Sequence, residues 1–153
     1  MARKKPVPGK KLYTVAEANA ALPLVRSIVR DITVLARDLQ DRHDRLVRPG
    51  NMSDAYREEL EQDQAEFERG KDRMEEYEAE LKKLGVELKD YFTGLVDFRC
   101  RMDNRDVYLC WRLGEEDVAH WHELDSGFAG RQKLPPAPVK GTPPQARGLV
   151  SDL

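Results

Sequence analysis

Apolar-face positions recur at alternating spacings of three and four through Leu22, Val25, Val29, Ile32, Ala36, Leu39, His43 and Leu46. This is a heptad seam and predicts a long amphipathic helix. Its start is marked by Thr14-Val-Ala-Glu17, a capping box in which the Thr14 hydroxyl accepts from the Glu17 amide and the Glu17 carboxylate reaches back. Tyr13 and Ala18 hold the staple positions, so the helix should begin at Val15. Pro23 removes a backbone donor and disfavours helical geometry at Leu22, which predicts a kink or a short first helix ending there. The main helix should run to about Leu46, with a turn at Arg48-Pro-Gly-Asn51.

A second seam follows, capped by Ser53 and marked by Tyr56, Leu60, Phe67, Met74, Tyr77, Leu81 and Leu84, with Gly85 placed to end it. Asp63 and Gly70 fall where apolar residues are expected. A helix of this length is a rod of about 48 Å. The short turn makes an antiparallel hairpin the simplest packing. Such a stripe is core between the two helices, or it leaves surface for a second copy of the chain.

After Gly85 the period changes to two. Gly94–Met102, Asp106–Leu113 and Val118–Leu124 read as three short strands. Asp103-Asn104 or Asn104-Arg105 can form a two-residue primed turn, and Gly114-Glu-Glu-Asp117 makes the next connection. Either primed turn puts Val96, Phe98, Cys100 and Met102 on one face with Val107, Leu109, Trp111 and Leu113. That apolar face should pack on the helices. The other face then carries Asp97, Arg99, Arg101, Tyr108, Cys110 and Arg112. Cys100 and Cys110 fall on opposite faces, which argues against a disulfide. Burying Trp121 places His120 and His122 on the polar face; the opposite register would bury the imidazoles and expose the indole.

Composition bounds the function classes. The chain has 153 residues, 40% hydrophobic and 35% charged, and a net charge of −2. That suits long solvated helices around a modest core, and it argues against a nucleic-acid binder. Charge is uneven: residues 1–12 carry five Lys/Arg and no acid, while residues 53–84 carry twelve Asp/Glu against six Lys/Arg. No apolar run reads as a signal peptide or a membrane span, which predicts a cytoplasmic protein.

The polar face holds the candidate chemistry. Cys110, His120 and His122 are suitable zinc ligands, and Asp97 could complete a four-coordinate site. Arg99, Arg101 and Arg112 oppose a divalent cation and favour a phosphate, carboxylate or nucleotide. Gly127-Phe-Ala-Gly-Arg131 adds a guanidinium and two glycines without forming a phosphate loop. Cys110 as a nucleophile with His120 or His122 as base is a third option, and a solvated face of charged cross-strand pairs is the bland one.

Several segments together are similar to a known family: Tyr13-Thr-Val-Ala-Glu-Ala-Asn19, Leu22-Pro-Leu-Val25, Leu84-Gly-Val-Glu-Leu-Lys-Asp90, Gly94-Leu-Val-Asp-Phe98, Val107-Tyr-Leu-Cys-Trp-Arg112 and Trp121-His-Glu-Leu-Asp-Ser-Gly-Phe-Ala-Gly-Arg131. They resemble small bacterial proteins catalogued as domain of unknown function 2203, over roughly residues 13–134. The resemblance implies a bacterial cytoplasmic protein with Trp121, His122, Gly127, Gly130 and Arg131 in the family's signature. It brings no activity and no catalytic residue.

The expected fold is α+β: a long antiparallel, coiled-coil-like helical hairpin over 14–84, a small three-stranded antiparallel sheet over 94–124 and a Gly-rich loop over 125–133. These form one domain, 13–133, between a flexible basic arm (1–12) and a Pro-rich disordered tail (134–153). The leading functional expectation is a non-catalytic binding or scaffold protein. Its polar sheet face, with Arg99, Arg101, Arg112, His120, His122 and Arg131, would recognise a small anionic ligand or an anionic partner. The alternatives are a metal-binding protein or metal-dependent hydrolase using Cys110, His120 and His122, with zinc as the cofactor, and a structural coiled-coil protein that forms homo-oligomers through the hairpin.

Overall fold

The computed structural model describes residues 11–48 and 53–135. Most of the expected basic arm, the centre of the interhelical turn and nearly all of the Pro-rich tail lie outside the described residues. Two helices, α1 (Val15–Val47) and α2 (Asp54–Leu84), precede five strands: β1 (Val86–Asp90), β2 (Leu95–Met102), β3 (Arg105–Arg112), β4 (His120–Glu123) and β5 (Gln132–Lys133). The strands form one antiparallel sheet in chain order. The fold class is therefore α+β, as expected, but the sheet has five strands rather than three.

Both helix starts follow from their caps. The Thr14–Glu17 capping box is present in both directions, and the Ser53 hydroxyl accepts from the Tyr56 amide. Gly85 ends α2 at φ 77°, with its amide donating to Lys82 O. Pro23 does not end the first helix: α1 runs unbroken through it. The proline is exposed, while Leu22 and Val25 beside it are buried at 2% and 0% exposure. Burial of the seam on both sides outweighs the lost donor, a case of tertiary packing overriding a local breaker.

The helices pair antiparallel, since Arg42 and Arg45 meet Asp63 while Gly70 lies against Leu39 and Leu35. Both irregular seam positions have a reason. Asp63 takes an ion pair from Arg42 at 3.0 Å and another from Arg45 at 3.2 Å. Gly70 permits close approach, because a Cβ there would lie 2.6 Å from Leu39 Cδ2. The fully buried part of the seam is confined to one end, reaching Ala36 on α1 and starting at Met74 on α2. There the helices join Val96, Phe98, Cys100, Val107, Leu109 and Trp111 in one cluster.

The β2–β3 hairpin has the predicted geometry. Met102 pairs with Arg105, and Asp103 and Asn104 both take positive φ, at 51° and 65°. The apolar face is the one read from parity: Val96 opposite Trp111, Phe98 opposite Leu109, Cys100 opposite Val107. Two strands were missed. In β1, Val86 and Leu88 face the core side opposite Phe98 and Val96, an alternation of only a few residues. In β5, two residues pair with His120 and Trp121, and no sequence period exists at that length. Among the described residues, no helix is long and apolar enough to cross a membrane.

Candidate functional site

The polar face is organised in rows across the sheet. One row runs Glu87, Asp97, Cys110, His120, Lys133 through successive register pairs. The next contains Arg99, Tyr108 and His122. Both histidines therefore lie on the face with Cys110, and Trp121 pairs with Leu109 on the other, where it packs against the core.

This face departs from a solvated one at its centre. Asp97, Cys110 and His122 are exposed by only 3%, 0% and 2%. His122 Nε2 lies 3.0 Å from Asp97 Oδ2, so a contact between β4 and β2 spans the intervening strand that carries Cys110. The Tyr108 ring lies 5.4 Å from the His122 ring, and its hydroxyl donates to the Glu87 carboxylate. Lys89 and Arg99 lie over the Tyr108 ring. Long side chains from the neighbouring strands thus fold over short ones at the centre, as snorkelling groups do.

The donor atoms of Asp97, Cys110 and His122 all lie within 4.8 Å of one another. His122 Nδ1 is 2.7 Å from Glu123 O, which can only accept, so Nδ1 carries a proton. Nε2 then faces a carboxylate oxygen. One proton between the two atoms makes this contact a hydrogen bond. Asp97 Oδ1 is buried with no hydrogen-bond partner among the described residues, and the weakly donating Cys110 thiol is a neighbour of the same carboxyl. Burial pushes the Asp97 carboxyl up, against the downward pull of His122. Burial, reinforced by the Asp97 charge, pushes the Cys110 thiol up to about 12. Without a metal, Cys110 is a thiol rather than a thiolate, and a nucleophilic role finds no support. Both cysteines are free and buried.

The guanidinium groups expected to greet an anion are mostly engaged. Arg99 and Arg101 share Asp106, at 3.6 and 3.5 Å. Arg131 makes two bonds to Glu115, at 2.8 and 2.9 Å, and a third to Cys110 O at 3.2 Å. Arg112 has no ion pair among the described residues; it is exposed and stacks 5.3 Å from the centre of the Phe128 ring. The positive charge that opposed a metal is therefore largely neutralised, at Arg99 and Arg101 by the kind of cross-strand pairing a solvated face would show and at Arg131 by a carboxylate that the sequence pattern did not connect to it.

The Arg131 guanidinium reaches this place through a strap after β4. Gly127 at φ 65° opens a single 3-10 turn, Phe128–Gly130, and β5 returns the chain to the sheet edge. His120 sits between the strap and the sheet, with Nδ1 buried and unbonded, 3.7 Å from Glu115 Oε2. Glu115 and Glu87 were absent from the sequence-based site. Glu115 lies in a connecting turn with no period to place it, and Glu87 lies in the strand that was missed. Asp97 was legible from strand parity alone.

The family model described as "Uncharacterized conserved protein (DUF2203)" matches residues 11–134, and the chain belongs to that family. No curated protein and no solved structure matches it.

Proposed function

We propose that this DUF2203 member is a metal-binding protein that holds one divalent transition ion, zinc by donor type, on Asp97, Cys110 and His122. The observation that carries this reading is the buried cluster of three donors, with His122 Nε2 and Asp97 Oδ2 at 3.0 Å and donor atoms of Asp97, Cys110 and His122 all within 4.8 Å of one another. Donors in a tetrahedral zinc site stand roughly 3.3–3.8 Å apart, so small side-chain rotations gather the three. The Nδ1 bond to Glu123 O is the outer bond that orients a metal-bound imidazole. One thiolate, one carboxylate and one imidazole select a borderline-soft ion over magnesium or calcium. Binding displaces to solvent both the thiol proton and the proton shared by His122 and Asp97, and the two anionic ligands cancel the ion's charge in a site that excludes water.

The anion-recognition reading rested on the sorting of Arg99, Arg101, Arg112, His120 and His122 onto one face, with Arg131 added by the loop. Three of the four arginines are paired with carboxylates, which favours the metal reading.

Untagged protein stripped with chelator and titrated with Zn(II) and Co(II) tests the proposal. The expected result is one ion per chain, a thiolate-to-cobalt charge-transfer band, and loss of both in Cys110→Ser and in His122→Ala. A folded wild-type chain that takes up neither ion overturns the reading. So does uptake that is unchanged in the Cys110→Ser/His122→Ala double variant.

A further inference from the structure

Three protein donors leave a zinc ion one position short, and the geometry points to the side chain that fills it. We propose that His120 is the fourth ligand, and that metal binding turns its imidazole so that Nδ1 closes on Glu115 and Nε2 completes an Asp97–Cys110–His120–His122 set. This rests on the reading of the three-residue site above.

Placement comes first. His120 is the register partner of Cys110, and His122 shares its face two residues along the same strand. A His-x-His pair on a strand spaces its two α-carbons about 6.7 Å apart along one face, within chelating reach of a single ion. Cys110 is thus flanked by Asp97 on β2 and His120 on β4, with His122 diagonal to it.

Bonding comes second. His120 is the member of the row whose ring nitrogen is buried and lacks a hydrogen bond. Its nearest charged neighbour, Glu115 Oε2, is 3.7 Å from Nδ1, beyond hydrogen-bonding distance. Buried polar atoms are seldom left in this state. The unbonded atom is Nδ1, on the side of Glu115, which leaves Nε2 as the nitrogen to meet an ion.

The outer contacts come third. Glu115 is fixed from two sides, by Arg131 and by the Arg112 amide at 2.8 Å. It is a rigid acceptor for His120 Nδ1–H, as Glu123 O is for His122 Nδ1–H. Each imidazole then directs Nε2 to the ion through an oxygen acceptor on Nδ1, the usual arrangement around zinc. The Arg131–Glu115 strap acts here as a support for a ligand. A four-ligand site has no water-bearing position, so this geometry describes a holding site rather than a hydrolytic one.

The full chain loaded with Co(II) and Zn(II) provides the test. Wild-type protein should show the intense visible bands of four-coordinate cobalt. His120→Ala should still bind, with affinity weakened about tenfold or more, weaker visible bands, and recovery of the spectrum on adding imidazole. The ¹⁵N resonances of both imidazoles should move on zinc addition to the wild type, a readout that needs no variant. Equal affinity and identical spectra for wild type and His120→Ala, or movement of His122 alone, overturn the fourth ligand and leave the three-residue site standing. A wild-type chain that binds neither ion overturns both.

Discussion

Asn19 and Val118, 99 positions apart, exchange two hydrogen bonds: Val118 N–H donates to Asn19 Oδ1 at 2.7 Å, and Asn19 Nδ2 donates to Val118 O at 3.3 Å. One side chain on α1 thereby satisfies both backbone groups of a buried residue in the β3–β4 connection, the loop that also carries Glu115. Asn19→Ala leaves the Val118 amide unpaired. It should lower stability by about 1–3 kcal/mol, read from the urea midpoint at unchanged slope. A midpoint within experimental error of wild type would mean that the loop is held elsewhere.

Gly94 stands where α1 lies closest to the sheet. Its φ is 71°, and a Cβ would come within 2.8 Å of both Leu113 Cβ and Val29 Cγ1. Neither atom belongs to a side chain that can swing freely away. Gly94→Ala should therefore cost about 2–5 kcal/mol, combining left-handed strain with overpacking. Circular dichroism melts should show the loss directly; a Tm unchanged within a degree would refute the close approach.

Asp90 caps the β1–β2 turn, accepting from the Phe92 amide at 2.8 Å and from Thr93 at 3.4 Å. The Phe92 amide holds its carboxyl below the ordinary value of 3.8. A carboxyl lowered by folding adds stability above its unfolded pKa and loses it as pH falls through the lower folded value. Asp90→Asn keeps an acceptor for the turn but cannot titrate. Its Tm should decline less steeply than wild type below about pH 4 and should run parallel to wild type near pH 7. Parallel curves across the whole range would contradict the assignment.

Asp97 should show a conflict between stability and binding. Its buried Oδ1 lacks a strong donor, and burial disfavours its charge. Asp97→Asn removes the charge and offers Nδ2–H to His122 Nε2. The metal-free variant should be more stable than metal-free wild type by about 1 kcal/mol, and zinc should no longer raise its Tm. A less stable metal-free variant would show that the carboxylate serves the fold instead.

The legible parts of the molecule were those governed by short-range rules. The capping box at Thr14, the stop at Gly85, the Asp103-Asn104 turn and the two faces of the β2–β3 hairpin all follow from spacing, chirality and side-chain alternation over a few residues. Strand parity also placed Asp97 and Cys110 together, while the face of His120 and His122 depended on which register buries Trp121. Pro23 does not end the helix, because its local cost is real but smaller than the burial of Leu22 and Val25 on either side.

The remaining features depend on partners distant in sequence. Gln132 and Lys133 become a strand only because β4 presents a free edge. Arg131 was read as an anion ligand, but it meets Glu115, which no spacing rule connects to it. The sequence by itself determined the two helices, the β2–β3 hairpin and the side of that hairpin that each residue faces, because period and parity are local properties of the chain. Only the tertiary structure decided that Asp97, Cys110 and His122 are dry and that the arginines around them are paired. Burial and charge pairing are set by which long side chains fold over the face, and the assembled sheet, rather than the local sequence, brings those side chains together.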